Sequence, residues 1–145
     1  MRDSLYLTEL INQIQITMRE QKEYLIELDS KVGDSDLGLT MSDGFAAAYE
    51  AACSDMETDC GKLLYKAGKK MGNPVPSTMG TLMAAGFMRA GKNLKGKRKL
   101  TDMDIADLFS FYEEGVMDLG KAKPGDKTFL DGFHPAVQAL KLAVE

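Results

Sequence analysis

Apolar side chains recur along almost the whole chain at spacings of three, four and seven, the period of an amphipathic helix. Leu7, Leu10, Ile11, Ile14, Met18 and Leu25 share one face, while Glu9, Gln13, Arg19, Glu20 and Glu23 occupy others, which predicts a first helix over residues 4–28. A stretch rich in Gly and Asp follows, too broken for regular structure. A second helix is predicted over residues 39–53, where Ala46, Ala47, Ala48, Ala51 and Ala52 favour helix and close packing. A third spans residues 58–71, with Leu63, Leu64, Ala67 and Met71 along one side, and stops at Gly72-Asn73-Pro74-Val75-Pro76. A fourth opens near Ser77 and carries Met79, Leu82, Met83, Phe87 and Ala90. Thr101 and Asp104 resemble a capping box at the start of a fifth, which carries Ile105, Leu108, Phe109, Tyr112 and Val116. A sixth, interrupted or started by Pro135, closes the chain with Val137, Leu140 and Leu142. No alternating run is long enough to read as a strand. The expectation is an all-α, antiparallel bundle or barrel of about six helices.

Length and composition narrow the picture. A chain of 145 residues is predicted to be one domain, 1–145. At this length folding buries roughly 68–70% of the unfolded surface, enough for one core. A net charge of −4 argues against a nucleic-acid partner. Two cysteines, Cys53 and Cys60, need no disulfide framework, which fits a reducing, cytoplasmic setting. No apolar run approaches the ~20 residues of a membrane span. Ten methionines read as adaptable core fillers.

Chemistry concentrates in three loops. Asp29, Asp34 and Asp36 lie within eight residues, between two predicted helices. If they converge, a hard divalent cation such as Mg²⁺ or Ca²⁺ relieves their repulsion; if not, the stretch is a solvated loop with Asp36 or Thr40 as helix cap. An EF-hand does not fit, because Leu and Phe stand where oxygen ligands belong. The Gly72–Gly80 segment leads into a helix with hydroxyls at Ser77, Thr78 and Thr81. That geometry suits an anion, and equally an ordinary helix start capped by Ser77; it lacks the Lys of a Walker A loop. The third loop, Gly120-Lys121-Ala122-Lys123-Pro124-Gly125-Asp126-Lys127-Thr128, offers three lysines to a polyphosphate or to solvent. His134, the single histidine, reads as structural, and no triad for covalent catalysis is present, so no catalytic side chain is assigned.

In order and spacing these motifs resemble the nucleotide-binding (DhaL-type) subunit family of dihydroxyacetone kinases: Asp29, Asp34, Asp36 and Gly38; then Gly80 and Thr81; then Gly120 to Thr128 with Asp131 and Pro135. The resemblance runs over essentially the whole chain. It implies a barrel of eight antiparallel amphipathic helices with ADP and Mg²⁺ at one end. Asp29, Asp34 and Asp36 are then the implied Mg²⁺ ligands. Leu37, Gly38, Leu39 and Thr40 border the phosphates, as do Pro74, Val75, Ser77 and Thr78 on the second loop, while Gly120 and Phe129 line the nucleotide pocket. The implied activity relays phosphoryl from a phosphotransferase-system carrier subunit, through bound ADP, to dihydroxyacetone or a similar ketose on a substrate-binding subunit. Two alternatives are a non-catalytic metal- or nucleotide-binding regulatory module and a fragment of an ATP-dependent kinase. The family commonly has His and Asn where this chain has Leu37 and Thr40, and a Gly-Gly-Ala-Ser-Gly loop where it has residues 72–76. The family's last helices have no counterpart before Glu145, so the chain is expected to be C-terminally truncated relative to the family. Such a barrel is expected to expose its first and last helices and to form homodimers or aggregate.

Overall fold

The computed structural model of the chain describes residues 1–72 and 77–145. Seven helices are described: α1 (Ser4–Glu20), α2 (Lys22–Ser30), α3 (Leu37–Ser54), α4 (Cys60–Met71), α5 (Thr78–Asn93), α6 (Asp102–Gly120) and α7 (Phe129–Val144). The all-α expectation stands, and no strand occurs among the described residues; an isolated antiparallel bridge joins Arg2 to Leu100.

The expected first helix is in fact two. The break falls at Gln21 (φ −94°, ψ 5°), whose N–H still bonds the Thr17 carbonyl while its own carbonyl accepts from Leu25. A bend this slight leaves the apolar spacing intact, so periodicity does not reveal it. Gly38, at the start of α3, packs so closely on α2 that a Cβ there would lie 2.1 Å from the Lys22 carbonyl oxygen.

Helix starts follow their caps. Asp59, Ser77, Thr101 and Thr128 each accept a hydrogen bond from a backbone N–H of the first turn, and Thr101 and Thr128 form reciprocal capping boxes with Asp104 and Asp131. The Thr128 box begins α7 six residues before Pro135, which therefore lies inside the helix rather than starting or interrupting it. Proline removes the bond to the carbonyl four residues back. Here Asp131 and Pro135 are both exposed, so that carbonyl can meet water.

The helices run antiparallel in a curved layer ordered α1, α3, α4, α5, α6, α7, with α2 against α3. Glycines set the close contacts. A Cβ on Gly61 would meet the Lys95 backbone nitrogen at 2.3 Å, one on Gly86 the Tyr112 ring at 2.5 Å, and one on Gly115 the Ala85 carbonyl oxygen at 2.5 Å. Leu7, Ile11, Leu63, Met71, Met83, Phe87 and Leu130 are among the core side chains, each at most 5% exposed. Phe45, Phe87 and Tyr112 pack edge to face through its centre. Among the described residues α1 and α7 do not touch. An apolar cavity of about 240 Å³ reaches both, lined on those edges by Leu10, Ile14, Met18, Phe129 and Phe133.

This alternation sorts the loops. The segment before α3, the end of α4 with the start of α5, and the α6–α7 connection share one end of the layer, with Gly44 against Met71 and Gly120 against Leu82 beside it. The α3–α4 and α5–α6 connections lie at the other, where the Cys60 N–H donates to the Lys97 carbonyl.

Candidate functional site

Asp29 closes α2, Asp34 lies in the turn beyond it, and Asp36 immediately precedes α3. One carboxylate oxygen from each comes within 4.8 Å of the others. Local bonding explains the convergence. Asp29 Oδ2 accepts from the backbone N–H groups of Asp36 (3.1 Å) and Leu37 (3.2 Å). It thereby caps α3 from the preceding helix, a role sequence reasoning gave to Asp36 or Thr40. Asp36 occupies the cap position but makes no side-chain capping bond.

Gly33 completes the turn, its N–H donating to the Asp29 carbonyl at 2.7 Å. A Cβ on Gly33 would sit 2.2 Å from Asp29 Oδ1. Ser35 adopts φ 66°, the left-handed conformation that tight turns use.

The electrostatics are those of a crowded acidic site. A hydrogen bond to the Asp34 carboxylate pushes the Asp36 carboxyl above its ordinary value, helped by desolvation and by the charges of Asp34 and Asp29. The same hydrogen bond holds Asp34 below its ordinary value. Such a set competes for a proton, or for a cation.

The donor chemistry fits a hard divalent ion. Three carboxylates supply oxygen only, the ligand type Mg²⁺ and Ca²⁺ take. Thr40 adds an independent sign. It is 2% exposed, one turn into α3, and its hydroxyl has no hydrogen-bond partner among the described residues. An unsatisfied buried hydroxyl is costly, and a ligand oxygen nearby would relieve it.

The other predicted residues fall as follows. Leu37 is half-buried, Gly38 is buried beneath the Lys22 carbonyl, and Leu39 is exposed. Pro74 and Val75 lie outside the described residues. Ser77 caps α5 by accepting from Gly80 N–H at 3.0 Å. Ser77, Thr78 and Thr81 line a groove of about 570 Å³ together with Gly120, so two loops read separately from the sequence share one surface. Leu82 and Leu119 also line it. Neither was a sequence candidate, because an apolar residue at helical spacing carries no sign of which cavity it faces. Phe129 is half-buried and stacks on Phe133, with centroids 5.0 Å apart.

The third loop is held by its own acids. Asp131 accepts from Gly125 N–H at 2.6 Å and Thr128 N–H at 2.9 Å, and Asp126 accepts from Lys123 N–H at 3.0 Å. Those backbone bonds hold the Asp131 carboxyl below its usual range. Among the described residues none of Lys121, Lys123 and Lys127 forms an ion pair, and all three side chains remain available to an anion. His134 pairs with Glu113, a buried carboxylate on α6, which fastens α7 to the layer.

Fold and site together define a class: all-helical domains with clustered carboxylates and hydroxyl- and lysine-bearing segments at one end of an antiparallel layer. The chain belongs to the DAK2 domain family, whose family model matches residues 31–145. It is 34% identical over 125 residues to the PEP-dependent dihydroxyacetone kinase, ADP-binding subunit DhaL, of Escherichia coli K12, covering 86% of this chain and 60% of that protein. It is 28% identical over 141 residues to the PEP-dependent dihydroxyacetone kinase 2, ADP-binding subunit DhaL, of Listeria innocua, covering 96% of this chain and 65% of that protein. An L-erythrulose kinase of Pectobacterium atrosepticum is 32% identical over 120 residues, 81% of this chain but 20% of that longer protein. The chain thus spans between three-fifths and two-thirds of the length of the two ADP-binding subunits it matches.

Proposed function

We propose that this chain is the ADP- and Mg²⁺-binding component of a ketose kinase of the dihydroxyacetone type, working with a subunit that holds the ketose and a phosphoryl-carrier subunit. The observation that carries the reading is the approach of Asp29, Asp34 and Asp36 to within 4.8 Å at the end where the other two loops also lie. The names of the relatives support ADP and a short ketose such as dihydroxyacetone or erythrulose.

Asp29 Oδ1 and the carboxylates of Asp34 and Asp36 are the residues to hold Mg²⁺; Asp29 Oδ2 is already engaged by two backbone N–H groups. When bound, Mg²⁺ neutralises phosphate charge and the nucleotide supplies the phosphoryl-carrying group. The remaining work is positioning. The start of α5 directs unpaired N–H groups at a phosphate, Ser77 and Thr78 add hydroxyls, and the lysines of the 120–128 loop add positive charge. Leu37, Gly38, Leu39 and Thr40 border the phosphates at the start of α3, and Pro74 and Val75 complete the second loop. Gly120 and Phe129 line the nucleotide pocket. No side chain of this chain serves as nucleophile.

Thermal unfolding with Mg²⁺ and ADP tests this. Ligand at about a hundred times its Kd stabilises by roughly 2.7 kcal/mol, which raises Tm by roughly 6–10 °C in a domain of this size. Asp34→Ala should abolish the rise. No shift at millimolar Mg²⁺ and ADP would sink the proposal. Leu37 and Thr40, in place of the donors expected there, favour a second reading, a binding module without turnover. An assay coupled to a ketose-binding subunit and a phosphoryl donor separates the two, because turnover above background excludes the module.

A further inference from the structure

Charge is distributed very unevenly along this acidic chain. Residues 61–100 contain ten Lys or Arg and no Asp or Glu, whereas residues 1–60 contain four against thirteen and residues 101–145 four against nine. The basic segment is α4, α5 and their flanks.

The fold brings six of these ten charges together, while Lys97 and Lys99 pair with Asp104 and Asp3. Gly61 and Gly91 bring the two helices into backbone contact, since a Cβ on Gly91 would lie 2.6 Å from the Tyr65 nitrogen. With no side chains between the helices, the flanking lysines share a groove. One stretch of about 340 Å³ is lined by Lys62, Tyr65, Lys66, Lys92 and Lys95. It continues past Lys66 into a stretch lined by Lys69 and Lys70. Of these lysines only Lys66 forms an ion pair among the described residues, with Asp55 and Glu57. The Lys62 and Lys95 end lies opposite the acidic loop, while the Lys69 and Lys70 stretch passes Asp55 and reaches Gly72 and Thr81, which also line the groove at Ser77 and Thr78.

We propose that the α4–α5 groove docks an extended acidic segment of a partner protein. Three features favour that occupant. All six basic residues that line the groove are lysines, and the nearby Arg89 is held by Asp118 and Glu114. A solvated rim of Lys suits a salt-sensitive protein contact. The size also fits. Twelve residues of α4 span about 18 Å, the reach of roughly five residues of extended chain. Finally, a longer polyanion would leave the groove and meet the acidic remainder of the surface. A short acidic stretch gains the attraction without that repulsion. This inference stands independently of the phosphoryl-transfer reading.

Fluorescence anisotropy of a labelled hexaglutamate peptide on the intact chain tests it, with hexaglutamine and a short DNA duplex as comparison probes. Hexaglutamate should bind at low salt, release at ~0.15 M salt as screening shortens to ~8 Å, and outcompete the duplex. The double variant Lys92→Glu/Lys95→Glu should weaken binding about tenfold or more. Arg19→Glu, at an exposed position of α1, should leave binding unchanged, and the double variant should keep the parent's melting temperature and its response to Mg²⁺ and ADP. Equal binding of hexaglutamine, tighter binding of the duplex, or insensitivity to the double variant would overturn the proposal. So would self-association at low salt that the same variant abolishes while the peptide stays unbound.

Discussion

Replacing Gly33 by Ala isolates the geometry of the acidic loop with a single methyl group. Its φ lies outside the left-handed region, so the backbone itself accepts alanine; the conflict is one of space. The new Cβ would lie 2.2 Å from Asp29 Oδ1, 2.9 Å from its Cγ and 2.9 Å from its carbonyl oxygen. Ordinary contact begins at 3.4 Å, so the carboxylate oxygen must retreat by about 1.2 Å and the carbonyl by about half that. The Asp29 bonds to Asp36 and Leu37, at 3.1 and 3.2 Å, do not survive such a movement. Each is a charge-assisted bond in a partly exposed place, so their joint loss costs about 2 kcal/mol, or roughly 4–8 °C in Tm. The effect on a bound ion should be larger in relative terms, because ligand distances tolerate only about 0.2 Å. Mg²⁺ affinity, read by calorimetry or by the Mg²⁺ dependence of Tm, should fall at least tenfold while circular dichroism still reports a folded helical protein. A Gly33→Ala protein that melts within a degree of the parent and binds Mg²⁺ equally well would refute the placement of Asp29 over this turn.

Gly61→Ala drives a methyl into the backbone of Lys95 and Gly91, so it should cost about 3 kcal/mol or more in chemical denaturation. Gly132→Ala, on α7 with nothing within 4 Å, should instead stabilise by about 0.5–1 kcal/mol through helix propensity; equal effects of the two would contradict the packing. Asp104 is held below its ordinary value of 3.8, first by the Lys97 ammonium and then by the Thr101 N–H. Its contribution is therefore fully present above that ordinary value and is lost as pH falls through the lower folded value. Asp104→Asn should destabilise by about 1–2 kcal/mol at neutral pH, and the gap should shrink in strongly acidic solution; a gap that widens on acidification reverses the assignment. The chain should enhance the fluorescence of ANS through the apolar edges of α1 and α7, and Phe133→Glu should diminish that signal; a dark dye would mean these edges are covered in solution.

Much of the fold is legible in the sequence because its signals are local. A helix repeats its apolar face every three or four residues, and its start is marked by a side chain that reaches only two or three residues ahead. Thr101 with Asp104 announces α6 in this way, and Ser77 announces α5. Thr128 with Asp131 carries the same signal, but Pro135 drew the expected start of α7 toward itself, although a proline on an exposed turn merely removes one bond. The acidic loop was legible as three carboxylates, and its order relative to the Gly80-Thr81 and Gly120–Thr128 motifs as a family resemblance.

Tertiary structure decided what depends on contacts between distant residues. The break at Gln21 leaves the apolar period undisturbed, and beside it Gly38, seventeen residues on, packs against the Lys22 carbonyl. Asp29 caps a helix that begins eight residues later, a reach no capping rule anticipates. The helical glycines at 61, 86, 91 and 115 count against helix by propensity, yet each is the point where two helices meet too closely for a side chain. The sequence by itself thus determined where helices form and which chemical groups the chain owns, since both are set by neighbours along the backbone. Only the packing decided which groups meet, because that depends on how closely one helix can approach another.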